Sequence, residues 1–162
     1  MAIKITRKTR NIEKLIKKLE KIGKSNVSSG YFPEQGYHSE YGMSYANLMS
    51  IHETGKFGLP VRPVKFLTAQ HMDRSYPEWS IAIKKFLQGK QDLDSSLHEI
   101  GIEATAEAKS IFGSVPPLQP NSPETIQIKG SNQPLVDSGE LRDNWGYKVG
   151  DGGAVVTNVS YG

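Results

Sequence analysis

Cysteine is absent from this chain of 162 residues. That excludes a disulfide framework and thiolate zinc sites, and it fits assembly in a reducing cytoplasm. No apolar run approaches the ~18–20 residues needed to span a bilayer, so no membrane association is expected. The opening MAIKITRKTR lacks the apolar stretch of a secretory signal, and none is expected. Internal repeats, heptad arrays and low-complexity tracts are missing too. What is left has an ordinary apolar fraction of 36 %. It reads as a single soluble domain able to bury about two-thirds of its unfolded surface.

Charge is modest but unevenly placed. Residues 1–25 hold nine lysines and arginines against Glu13 and Glu20, a balance of +7 that leaves −4 for the rest of a chain of net charge +3. A basic leading element on a mildly acidic body suggests contact with nucleic acid or with an acidic neighbouring subunit. A solvated lysine face would account for the same residues.

Periodicity organises the chain. Ile12, Leu15, Ile16, Leu19 and Ile22 recur at helical spacing and predict an amphipathic helix over 7–22, with Lys14, Lys17, Lys18 and Lys21 largely on the opposite side. Residues 26–32 read as a strand, and the polar, turn-rich 33–42 as a loop. Ser44 is placed to cap a helix carrying Tyr45, Leu48, Met49 and His52. Pro60 and Pro63 then stiffen an extended arm, which leads into a helix over 64–72. A separate helix is expected over 76–87. The long central helix, opened by Asp92 or Asp94 and running to about Phe112, carries Leu93, Leu97, Ile100, Ala104, Ala108 and Ile111 on one stripe, with Gly101 as a mild weak point. The proline-rich 113–137 is loop-dominated, with a short helix over 123–129 capped by Ser122. Asp137 and Glu140 have capping-box spacing for a second short helix ending at Asn144. Alternation around Asp151-Gly152-Gly153 predicts a terminal hairpin.

No residue pattern in the sequence matches a catalytic arrangement. His52-Glu53 and His98-Glu99 begin like a metalloprotease helix, but the second histidine is missing: Lys56 and Ile102 stand in its place. Ser138 lacks the flanking pattern of a nucleophile elbow. Gly150, Gly152 and Gly153 open no helix, so they are turn glycines and not a phosphate cradle. The lysine-rich helix has no aromatic for base stacking and no arginine cluster for base edges, so it supports at most nonspecific DNA contact. No catalytic residue, metal or cofactor is expected. An enzyme, for instance one acting on peptidoglycan, would need a paired-carboxylate cleft that no spacing here identifies.

Several short signals follow one another in order. They are Ala46…His52-Glu53-Thr54-Gly55, Pro60-Val61-Arg62-Pro63-Val64-Lys65-Phe66, Pro116-Pro117-Leu118-Gln119-Pro120, Thr125-Ile126-Gln127-Ile128-Lys129-Gly130 and Pro134-Leu135-Val136-Asp137-Ser138-Gly139-Glu140-Leu141. Together with the basic leading helix, this order resembles the tail-completion and head–tail connector (neck) proteins of tailed bacteriophages. The likeness spans about residues 10–160. Thr54 stands where that family usually has an aromatic, and residues 121–124 lengthen the gap before Thr125.

The order of elements points to a small α+β domain, a short and mainly antiparallel sheet packed by the long central helix, with the N-terminal amphipathic helix beside it. The resemblance implies a structural virion protein of the neck or upper tail, assembled in the host cytoplasm. Copies would form a ring, typically a hexamer, around the DNA passage and join the tail tube or terminator to the head connector or stopper. Arg62, Phe66, Lys129, Leu135, Asp137 and Leu141 would then serve a subunit or partner interface. Arg62, on a stem stiffened by two prolines, suits a bidentate contact to a carboxylate, although an internal ion pair would use it equally well. Lys14, Lys17, Lys18 and Lys21 would meet genomic DNA or an acidic partner. Loops 33–42 and 113–137 are candidates for ordering on a partner. The alternative function is nonspecific DNA binding through the basic helix.

Overall fold

A computed structural model describes residues 2–151, with side chains placed for 10–150. In chain order the elements are α1 (Ala2–Gly23), β1 (Ser25–Gly30), α2 (Tyr45–Thr54), α3 (Val64–Leu87), α4 (Leu93–Ile111), α5 (Pro123–Lys129), α6 (Glu140–Asp143) and β2 (Gly146–Asp151). β1 and β2 pair antiparallel in register from Ser25 opposite Asp151 to Gly30 opposite Gly146. The fold is α+β, with α4 packed across both strands and along α3. The return strand of the expected terminal hairpin lies outside the described residues.

The capping residues read from the sequence hold their helices. Ser44 Oγ accepts from Asn47 N, Asp92 from Ser95 N and Ser122 Oγ from Thr125 N. Two cores result. Val27, Met72, Trp79, Ala82, Leu97, Ile100 and Ala104 fill the space between α3, α4 and the sheet. Tyr31, Tyr45, Leu48, Met49, Val64, Ala108, Ile111, Leu118, Leu135, Leu141 and Trp145 contribute to the second, which draws on the loops as well as the helices. The α4 stripe expected from periodicity supplies both.

Three expectations need correction. The helices expected over 64–72 and 76–87 are one, α3, which runs through Pro77. A proline inside a helix removes one backbone donor. Here Asp73 and Pro77 both lie on the solvent side, so water can serve the orphaned carbonyl. Asp137 and Glu140 form no capping box: Gly139 is the cap residue of α6, and Glu140 N donates to Ser138 Oγ. Finally, the apolar stripe of α1 does not pack beside α4. Ile12, Leu15, Ile16 and Leu19 are 58, 45, 48 and 50 % exposed, because α3 and the two strands already cover α4.

Candidate functional site

The His52-Glu53 pair and the Pro60-to-Phe66 arm form one joint. α2 ends at Gly55, which has φ +67°, and a Cβ there would lie 2.8 Å from Val61 Cγ2 and 2.9 Å from the Leu59 carbonyl. Only glycine fits that corner. The returning arm is fixed by Arg62 N donating to the His52 carbonyl at 2.8 Å. α3 has no cap of its own at Pro63. The Glu53 carboxylate replaces it, accepting from Lys65 N at 3.1 Å and Phe66 N at 3.2 Å. Charge and hydrogen bonding act together at that helix start.

Arg62 points inward. It is 8 % exposed. Nε donates to the Gln119 carbonyl, and Nη2 to the Pro120 carbonyl and Asn121 Oδ1, at 3.3, 3.2 and 2.9 Å. The proline-rich loop is thus tied to the arm by a guanidinium that pairs with no carboxylate among the described residues; the internal ion pair that the sequence allowed is not formed. Burial lowers the Arg62 pKa. Burial, and then the Arg62 charge, push His52 down from 6.5 to about 4, so this imidazole is neutral near pH 7. Its Nδ1 is buried without a hydrogen-bond partner.

Around Arg62 lies a cavity of about 180 Å³, lined among others by His52, Thr125, Lys129, Leu135, Asp137 and Leu141. Five of the six residues assigned to an interface from sequence therefore converge on one place. Leu135 and Leu141 are core residues there, 9 and 5 % exposed. Lys129 Nζ donates to the Val136 carbonyl at 2.6 Å and lies 3.9 Å from Asp137 Oδ1. Phe66 is elsewhere, 59 % exposed on the outer side of α3.

Glu140 and His38 also line the cavity, and sequence reasoning missed both in this role. Glu140 accepts from Ser39 N, Ser39 Oγ and Tyr45 Oη at 2.9, 2.5 and 2.6 Å. These bonds, those from Ser39 foremost, hold its carboxyl down to about 2. Loop 33–42 thereby has anchors within the chain. The only sequence signal at Glu140 was its spacing from Asp137, which suggested the wrong partner.

A second region is the surface of α1. Lys14, Lys17 and Lys21 are exposed. Lys18 instead crosses to the end of α3, donating to the Phe86 and Leu87 carbonyls at 2.9 and 3.0 Å, with Nζ 5.2 Å from the Phe86 ring centroid. It neutralises a helix C-terminus and is not free to meet DNA. Another exposed apolar set lies on the arm and α3: Phe57, Leu59, Val61 and Phe66. Among the described residues no helix is long and apolar enough to cross a membrane, and no three His, Asp or Glu side chains gather closely enough to hold a metal ion. Comparison with protein-family models, curated proteins and solved structures finds no match to this chain.

Proposed function

We propose that this chain is a structural virion protein of the neck or upper tail of a tailed bacteriophage, where copies of it form a ring around the DNA passage. The ring joins the tail tube or terminator to the head connector, and by the family resemblance it has six members.

The observation that carries an assembly role is the stripe on α1. Four aliphatic side chains at helical spacing, each about half exposed, leave a helix with an apolar face that no described residue covers. Singly exposed aliphatics are ordinary, but a contiguous set marks a contact surface. The arm residues Phe57, Leu59 and Val61 supply a second one. A closed ring needs two unlike patches per subunit, each fitting the other on its neighbour. Lys14, Lys17 and Lys21 flank the first patch and face either the DNA or an acidic partner ring.

The test is electron microscopy of lysates from a phage lacking this gene. Full heads beside separate tails of complete length are expected. Normal particles would remove the neck assignment. Duplex-DNA binding by the isolated protein, falling steeply as salt rises, would then favour the nonspecific DNA-binding reading.

A further inference from the structure

We propose that the cavity at Arg62 is a binding site for a carboxylate. Among the described residues lining it, Arg62 is the most deeply buried permanent cation, and no Asp or Glu oxygen of those residues lies within 4.0 Å of its guanidinium. Its three hydrogen bonds go to neutral carbonyl oxygens, which satisfy donors without cancelling the charge. Nη1 makes no hydrogen bond to any described residue. Arg62 lines the cavity, which leaves this nitrogen for an incoming anion. A buried charge without a counter-charge is costly, and the same surroundings strengthen its attraction for an anion that arrives.

Other donors line the same space. Lys129 carries three N–H donors and uses one on the Val136 carbonyl. Ser138 Oγ accepts from Glu140 N, and its own proton has no acceptor among the described residues. The acids in the lining do not fill the need. Glu140 is held by Ser39 and Tyr45. Asp137 is 64 % exposed and nearest to Lys129. These two negative charges disfavour a dianion and select a monoanion. At about 180 Å³ the cavity admits a carboxylate on a short stem. An anion at Nη1 would also offset the field that Arg62 exerts on His52. The site stands on this geometry and is independent of the ring assembly proposed above.

The experiment is an NMR titration of the full chain at about pH 6.5, following Arg62 Nε–Hε and the His52 ring. Sodium acetate is the probe, with sodium chloride at matched ionic strength and sodium phosphate as further arms. Saturable acetate shifts with millimolar affinity and a raised His52 pKa are expected, with weaker responses to chloride and phosphate. Lys129→Met and Ser138→Ala, both outside the Arg62 clamp, should weaken acetate about three- to tenfold, as loss of a charge-assisted donor would. If another copy of the chain supplies the carboxylate, the same shifts will grow with protein concentration and acetate will compete with them. If a free small acid does, they will not depend on protein concentration. Acetate acting no differently from chloride, phosphate binding more tightly than acetate, or both variants binding like the wild type would each overturn the site.

Discussion

The ring of Tyr147 lies on the backbone of Gly101, at the point where β2 crosses α4. A Cβ at position 101 would collide with the ring, lying 2.6 Å from both Cγ and Cε2. Tyr147 Oη is also 3.1 Å from His98 Nδ1, one turn earlier on α4. Glycine weakens a helix by about 1 kcal/mol relative to alanine. Here that loss is outweighed, because the missing side chain lets the sheet approach.

Gly101→Ala should therefore destabilise the protein despite its better helix propensity. We expect a loss of about 1–3 kcal/mol in denaturant unfolding, the range for overpacking a close contact. Adding Tyr147→Ala should recover part of that loss, since the two changes share one contact. A stabilised Gly101→Ala protein would show that the strand does not seat there.

Glu53 is predicted to matter for folding and not for chemistry. Glu53→Gln keeps the shape but loses the charge at the start of α3, and Glu53→Ala loses the cap altogether. Thermal unfolding should show a cost of about 0.5–1 kcal/mol for the first and about 1–2 kcal/mol for the second. Equal stability of Glu53→Ala and the wild type would mean that the α3 donors find water as readily.

The His52 environment gives a pH dependence with a definite sign. Its folded pKa is about 4, below the ordinary 6.5. Between these values the unfolded chain binds a proton that the folded chain does not, so stability falls as pH drops from 6.5 towards 4. Above 6.5 this contribution is constant. The loss is on the order of 2 kcal/mol, allowing for a ring that keeps some contact with water. Urea unfolding of His52→Gln should show a flatter slope in that window; an unchanged slope would assign the titration to another group.

Much of this architecture was legible because it is local. Ser44 and Ser122 cap the helices that their positions indicated, and Asp92 is the one of the two candidate acids that caps α4. Leu97, Ile100 and Ala104 face the core as their period required. What was not legible depends on distant partners. Pro77 reads as a break until its solvent-facing position is known. Glu140 reads as a helix cap until Ser39 and Tyr45, about a hundred residues earlier, are brought to it. The cavity has no local signature at all: Arg62 and residues 119–121 meet only through the fold, and the P-x-R-P pattern gave the stiffness of the arm but not the inward direction of its arginine.

Lys17 and Lys18 are adjacent in sequence and should separate cleanly in experiment. Lys18→Ala removes a cation from the C-terminus of α3 and should cost about 1 kcal/mol in thermal unfolding. Lys17→Ala should leave stability within about 0.5 kcal/mol of the wild type, as an exposed surface change does. The apolar stripe should behave in a third way. Replacing Leu15 and Leu19 by Ser removes exposed aliphatic surface from α1, so unfolding of the isolated chain should change little. Assembly into rings, read by analytical ultracentrifugation or by particle yield, should be lost. If the double variant unfolded early and still assembled, α1 would belong to the core of the monomer and the contact surface would have to be sought on the arm at Phe57 and Val61.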